Sequence, residues 1–448
     1  MNLEEKLYQL KSASSKTRRE VALEKELAAL RYWGRIRKPL PAQRVAKSID
    51  EYVDGRVGQH AYGECFLAEE TLPLGRPYGK MRIGDIATSV LSPLGMFLAH
   101  QTLPEASRLV FLDTETTGLA DDSGACAFLI GLGTVEGAGF VIRQYFLRDY
   151  TEEKAALALV AEALENYDGV VTFNGKAFDV PLLETRYALS GIASPFSRLV
   201  HFDLLHPARR LWKLRLESCH LTNLEKHLLG IAREGDVPGS EIPGIYFDYL
   251  RTGDGRGLQG VFFHNSLDII SLAALSVEAA RHLSQAREDG CAQQITQALD
   301  LFSLGRIFER AGEGALAIAM CREAIRRGLP EAVEPRALWL LARQHKRLRQ
   351  YEAAAETWIE LTRRGDAYVI EAYWELSLHH ERRLRDFEAA LRFTESALEF
   401  LAAGFAARAE GAARSLPMER FQRRRARLEK RLVTKNRDRS HCGGRAEA

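Results

Sequence analysis

Between about residues 107 and 284 the chain alternates short apolar runs with helical patterns, and this alternation restricts it to an α/β architecture. Leu109–Glu115 (LVFLDTE) reads as a short apolar strand. Beyond a Gly/Asp turn, Ala127–Val135 and Phe140–Leu147 read as two more. A helix is predicted at about 152–166, a strand at Gly169–Phe173, a helix from about 178 and a strand centred on Val200–Leu204. Helical patterns follow at about 220–229 and 262–284. Three strands in a meander, then strands alternating with helices, predict one mixed sheet with flanking helices.

After about residue 290 strand patterns stop and a repeat begins. Gly305, Ala317 and Ala324 stand at offsets that Ala342, Ala354 and Leu361 reproduce 37 residues later. The tetrad Tyr351-Glu-Ala-Ala returns as Phe387-Glu-Ala-Ala. Small residues at such offsets let two helices of a hairpin approach closely, and the period is near the roughly 34 residues of tetratricopeptide repeats. Residues 297–402 therefore predict an all-α, tetratricopeptide-like helical repeat domain, with an ordinary helical bundle as the alternative. Before the α/β segment, residues 3–35 read as a helix that Pro39 and Pro41 end. Residues 50–100 are turn-rich, with short strand candidates such as Tyr62–Glu69, so 1–106 form an extension without assigned chemistry.

Charge is divided unevenly along the 448 residues. The net charge of +2 is the sum of +6 in residues 1–50, −12 in the middle and +8 in residues 414–448. No apolar run approaches the roughly 18 residues of a membrane span, so no membrane partner is expected. The start of the chain lacks the apolar segment of a secretory signal. Its six cysteines are scattered, with no CxxC pair, which fits reduced thiols and a cytoplasmic setting better than a disulfide framework or zinc site.

Three segments carry acids placed for chemistry. In Asp113-Thr-Glu115-Thr-Thr-Gly118, the two carboxylates stand two apart at the end of a strand, so they share a face and can hold one cation. Alone, such a pair is as well read as a solvated turn. Asn174-Gly-Lys176-Ala-Phe178-Asp179 follows the strand GVVTF and sets Asp179 beside the first strand, with Phe178 packing inward. Asp179 is equally suited to cap the next helix. In His264-Asn-Ser-Leu-Asp268, His and Asp are one helical turn apart and face the same side. Four carboxylates from two strand ends and a helix suit Mg²⁺ or Mn²⁺ better than zinc. Two such ions roughly 4 Å apart can activate water and stabilise a leaving oxygen, while a neighbouring His can take the proton.

These motifs, in this order, resemble the DEDD superfamily of 3′–5′ exonucleases, which have a ribonuclease H-like fold. Asp113 and Glu115 match its first motif, Asn174 to Pro181 its second and Asp268 its third, over about residues 107–284. The segments Phe202–Trp212, Leu221–Glu225 and Asp236–Gly239 narrow the likeness to the bacterial YprB-like branch. The resemblance implies metal binding by Asp113, Glu115, Asp179 and Asp268, with His264, Asp113 and Glu115 as catalytic residues. Thr116, Asn174, Lys176 and Phe178 would contact substrate. The chain departs from the pattern at one point: three residues separate His264 from Asp268, the spacing the superfamily otherwise gives to Tyr, whereas its His carries one residue more.

A nucleic-acid substrate needs balancing positive charge. Arg209, Arg210, Lys213 and Arg215 around Trp212 are candidates, unless Trp212 is buried and the basic face merely solvated. In the tail, 403–448, the run Arg423-Arg424-Arg425-Ala-Arg427 with Lys430 and Arg431 suits either phosphate or a charged surface helix. The resulting expectation is a metal-dependent 3′–5′ exonuclease acting on single-stranded DNA or RNA, with helical repeats that recruit a protein partner. The alternatives are a catalytically inactive nucleic-acid-binding module and a helical-repeat scaffold.

Overall fold

The computed structural model describes residues 47–98, 101–118, 124–137, 139–288, 294–364, 368–406 and 415–443. The predicted helix over 3–35 and Cys291 lie outside them. The chain forms two units, one of residues up to 209 together with 218–280, the other of 210–217 together with 281 onward.

The first unit is built on a seven-stranded mixed sheet. Its strands are β1 (Arg56–His60), β2 (Gly63–Pro73), β5 (Leu109–Thr116), β6 (Ala127–Glu136), β7 (Gly139–Phe146), β8 (Gly169–Thr172) and β9 (Val200–Asp203), in the order β1-β2-β7-β6-β5-β8-β9. Between β2 and β5 lie a small ribbon, β3 (Pro77–Tyr78) with β4 (Met81–Arg82), and helix α1 (Ile83–Thr88). β5 runs antiparallel to β6 and parallel to β8. Helices α2 (Glu153–Leu164), α3 (Asp179–Ser190), α4 (Leu205–Trp212), α5 (Leu221–Leu224), α6 (Ile242–Thr252) and α7 (Leu258–Glu288) complete the α/β part, and α5 runs into a π-helical turn, Glu225–Leu229.

This is the predicted mixed sheet with flanking helices, but it reaches further toward the N-terminus than residue 107. β1 and β2 continue it past β7, with Phe66 opposite Phe146 and Leu72 opposite Phe140. The β3–β4 ribbon has a role as well. The Lys80 backbone N–H donates to Leu229 O at 2.8 Å, and the Tyr78 hydroxyl lies 2.6 Å from Ser271 Oγ. The segment 56–82, which showed only scattered strand patterns, thus forms one edge of the sheet and braces α7.

One contact sets α7 against the sheet. Asp113, Gly131 and Gln144 stand side by side on β5, β6 and β7. Fully buried Asn265 on α7 spans the row: its amide donates to Asp113 Oδ2 at 2.8 Å, and its Oδ1 accepts from Gln144 Nε2 at 2.9 Å. Glycine is required between them, because a Cβ on Gly131 would sit 2.1 Å from Asn265 Oδ1 and 2.5 Å from Ile269 Cδ1. Gly133 makes the same room for Ile269 and Phe140. The stretch Gly255–Glu288 is long and apolar enough to cross a membrane, yet 67% of its apolar window is buried inside the protein. It is a core helix that passes a length test.

The second unit is a series of helices, α8 (Ala298–Ala311), α9 (Gly314–Arg326), α10 (Glu334–Arg347), α11 (Tyr351–Arg364), α12 (Val369–His379), α13 (Phe387–Ala406) and α14 (Ser415–Gly443), each packed on the next in chain order. The small residues of the repeat lie at these contacts. Ala317, Ala324, Ala342 and Ala354 are fully buried, and a Cβ on Gly305 would come within 2.7 Å of Cys321 Sγ. Trp212 is buried too, and Arg215 pairs with Asp300 at 2.9 Å, so neither is available as a substrate grip. The arginine run is divided. Arg424, Arg427 and Arg431 converge on buried Glu381 at 2.7, 2.9 and 3.2 Å, and Arg420 lies 3.5 Å over the Trp374 ring. Arg423 and Arg425 face outward and pair only along their own helix. The tail is chiefly a docked helix, with part of its charge spent on that docking. Among the described residues Cys65, Cys126, Cys219 and Cys321 form no disulfide.

Two outcomes follow from this packing. Gly131→Ala forces Asn265 and Ile269 aside, an overpacking cost of about 1–3 kcal/mol, read as a lower urea midpoint. The second concerns Glu136, whose carboxylate accepts from Arg143 at 2.5 and 2.8 Å, from Thr134 and from Tyr167. The Arg143 bonds hold its pKa down, to about 2. A depressed folded-state pKa stabilises above the unfolded value near 4.5 and loses that stability as pH falls toward 2. Glu136→Gln should therefore cost about 1 kcal/mol at pH 6, a difference from wild type that shrinks steadily between pH 4.5 and pH 2 in urea titrations.

Candidate active site

The site lies where β5 outruns its parallel neighbour. β8 pairs only with residues 109–111 of β5, so the chain after Phe111 is free to present side chains at the sheet's end. Asp113 and Glu115 occupy alternate positions there, as predicted. A shift in the β5–β6 register between Glu115 and Thr116 ends the strand.

The second motif leaves β8 by a tight turn. Asn174 takes a left-handed backbone conformation, φ 69°, which Asn tolerates better than most residues. Gly175 must follow, because a Cβ there would lie 2.5 Å from Thr172. The turn is tied by Asp203, which accepts from the backbone N–H groups of Asn174 at 2.8 Å, Lys176 at 3.1 Å and Leu205 at 3.1 Å. Asp203 is thus occupied by the backbone. Helix α3 begins at Asp179 with Phe178 as its cap, so Asp179 is the first helical residue and not the cap itself. Phe178, expected to pack inward, is 44% exposed, because the cap residue is carried outside the helix. Asp179 Oδ1 accepts from the Thr114 hydroxyl at 2.6 Å.

The third motif sits on α7. His264 Nε2 lies 3.9 Å from Glu115 Oε1 and 3.7 Å from Asp268 Oδ2, so the helix brings His264 and Asp268 to the first motif. The other face of the imidazole meets a residue not assigned from sequence: His264 Nδ1 is 2.9 Å from both carboxylate oxygens of Asp236. Arg233, only 7% exposed, ties the surroundings together. It reaches Asp268 at 2.5 Å, Asp236 at 3.1 Å and buried Glu225 at 2.5 Å. Thr114, Asn265, Arg233, Asp236 and Glu225 all support this site. Their signal in the sequence was their presence within or between the motifs, which does not reveal a partner 28 or 152 residues away.

Electrostatics mark the four acids as one group. Burial raises the pKa of Asp113 well above the carboxylate range, and the charges of Asp268, Glu115 and Asp179 raise it further. Glu115 is raised by burial first and then by Asp268 and Asp179. Burial pushes Asp179 up to about 6 against the Thr114 hydrogen bond, and raises Asp268 against the charge of Arg233. Mutual repulsion of this kind is relieved by a cation, and an all-oxygen donor set suits a hard one. In chemistry and location the residues fit Mg²⁺ or Mn²⁺. Among the described residues no three His, Cys, Asp or Glu side chains already converge as a metal-binding group. Asn265, Thr114 and Arg233 hold the carboxylates instead.

Beside the acids is a cleft of about 350 Å³ lined by Asp113, Asp268, Phe173, Asn174, Arg209 and His220, with Leu205, Cys219 and Leu221. Of the residues predicted to contact substrate, Asn174 lines it. Thr116, Lys176 and Phe178 are not among the lining residues, and the Thr116 hydroxyl is turned to Gly118 O at 2.8 Å. Arg209, exposed and cationic, stands on the wall of the cleft.

A family profile described as RNase_H superfamily matches residues 110–280, the span that holds all three acidic motifs. Protein YprB of Bacillus subtilis (strain 168) is 30% identical over 342 residues, covering 75% of this chain and 80% of that protein.

A cation that binds the folded site at about a hundred times its Kd adds about 2.7 kcal/mol of stability. Titration with Mn²⁺ should therefore raise the melting temperature of the wild type by several degrees. Asp113→Asn removes one of four repelling charges. It should melt no lower than the wild type without cation, and lose the Mn²⁺-dependent rise.

Proposed function

The chain belongs to the ribonuclease H superfamily, whose members' chemistry supports a nuclease or nucleic-acid-binding function, and on that premise we propose that it is a metal-dependent 3′–5′ exonuclease. The observation that carries the reading is the placement of His264, whose Nε2 lies 3.9 Å from Glu115 and 3.7 Å from Asp268, beside Asp113 and a cleft with a cationic wall.

Asp113, Glu115, Asp179 and Asp268 would hold two Mg²⁺ or Mn²⁺ ions, which when bound activate water and stabilise negative charge developing on phosphate oxygens. The protein's own groups do the rest. Arg209 and Asn174 orient the strand end in the cleft. His264 Nε2 accepts a proton from the attacking water as its oxygen bonds to the terminal phosphorus. The P–O3′ bond then breaks, and the shortened strand leaves with its 3′ oxygen protonated from solvent. The products are a 5′-mononucleotide and a strand one residue shorter. The helical unit we read as tetratricopeptide-like hairpins that recruit a partner or position the strand, supported by the buried small residues at matching offsets.

The test is incubation of the full chain with 5′-labelled single-stranded DNA or RNA in Mg²⁺, Mn²⁺ or EDTA. Laddering from the 3′ end with either ion, absent in EDTA and reduced at least a hundredfold in Asp113→Asn, is the expected outcome. Retained binding with uncut substrate under every metal condition would favour the binding module instead.

A further inference from the structure

We infer that Asp236 is a positioning residue: it fixes the tautomer and direction of His264 so that Nε2 faces the reaction cleft as an acceptor. This rests on the exonuclease reading above and goes beyond it by naming the group through which His264 works.

The geometry leaves little freedom. An ionised carboxylate only accepts hydrogen bonds, and both oxygens of Asp236 lie 2.9 Å from His264 Nδ1. Nδ1 therefore carries a proton toward Asp236, which leaves Nε2 as the ring nitrogen turned to the cleft. Nε2 points at Glu115 and Asp268, 3.9 and 3.7 Å away. Those distances exceed a direct hydrogen bond, so Nε2 is not committed to either carboxylate and can accept from the attacking water. When His264 takes its proton, the ring becomes an imidazolium whose charge Asp236 already faces.

Asp236 is itself held. Arg233 Nη1 donates to Asp236 Oδ2 at 3.1 Å, and the Arg233 guanidinium is anchored by buried Glu225. The loop carrying both residues lies along one stripe of α7, at positions four apart. Val237 fills the space over Gly260, with its Cγ2 2.5 Å from where a Cβ would be. Asp236 meets His264 and Arg233 meets Asp268. A bulkier residue at 260 would lift the loop from its register with His264 without removing any charged group.

Long-range ¹H–¹⁵N spectra of histidine-labelled, metal-free wild type, with His264→Gln to assign the signal, test the tautomer without any activity measurement. The expected signature is a protonated Nδ1. In Asp236→Asn the amide can donate to Nδ1, so the ring should shift to the Nε2–H tautomer. The kcat for strand shortening should fall at least a hundredfold and KM stay within about twofold. Asp236→Glu should restore Nδ1–H and recover at least tenfold of that loss. Gly260→Ala should lower kcat without changing KM. A wild-type ring whose Nδ1 carries no proton overturns the inference, as does an Asp236→Asn protein that melts like wild type and keeps its kcat. If the wild type shortens no strand with either ion, the exonuclease reading falls, while the tautomer spectra still decide the role of Asp236.

Discussion

The side chain of Asn265, wedged between Asp113 and Gln144 over the bare backbone of Gly131, is the contact on which the rest of the site depends. It fixes the distance between α7 and the sheet at the row where β5 presents its first acid. Asp268 and His264 flank Asn265 on the same helix, so their positions relative to Asp113 and Glu115 follow from that single docking. A buried amide that makes hydrogen bonds on both sides cannot slide by one residue without leaving polar groups unpaired, at about 1–3 kcal/mol each. An apolar contact of the same area would resist a register slip far less.

The site is also a place where the fold stores repulsion. Four carboxylates are drawn together out of water, which raises Asp113 and Glu115 well above their ordinary range. The structure offsets this with one guanidinium, one amide and one hydroxyl: Arg233 on Asp268, Asn265 on Asp113 and Thr114 on Asp179. None of these is as strong a partner as a divalent cation, which is why the group reads as a site awaiting charge and not as a finished salt-bridge network. The same reasoning explains how a chain with a −12 middle can suit a polyanion. Under the proposed reading the acids of the site would become ligands, and the local field would then favour phosphate.

Much of this was legible because its signals are local. An apolar strand ending in Asp113-x-Glu115 and a helix with His264 and Asp268 four apart need only the periods of strand and helix. Phe178 escaped because the choice between inward and outward turns on the single residue at which α3 begins. Strand β2 overlaps the candidate Tyr62–Glu69, but β1 escaped, and the place of β2 beside β7 is a matter of long-range pairing. Asp203 has a structural task that no motif announces, clasping the backbone of the turn after β8. Arg233, Asp236 and Gln144 were invisible as site residues, since their partners lie 35, 28 and 121 residues away. The arginines of α14 show the limit of charge reading. Arg424 and Arg423 are neighbours in the same basic run, yet one is buried against Glu381 and the other is 83% exposed.

The unusual spacing of His264 has a consequence in helix geometry. Four residues turn an α-helix by about 40° past a full revolution, so residues 260, 264 and 268 form one slowly drifting stripe. A fifth residue would add about 100° and swing the imidazole away from the side occupied by Asp268. At the shorter spacing His264 lies directly over its acid, and nothing on its own helix holds the far edge of the ring. A neighbouring segment must do so. The loop that lays Val237, Asp236 and Arg233 against Gly260, His264 and Asp268 supplies that hold along the whole stripe. In this chain the spacing and the loop are therefore two halves of one arrangement. The short spacing gives the imidazole its place in the acid cluster, and the loop gives it its orientation.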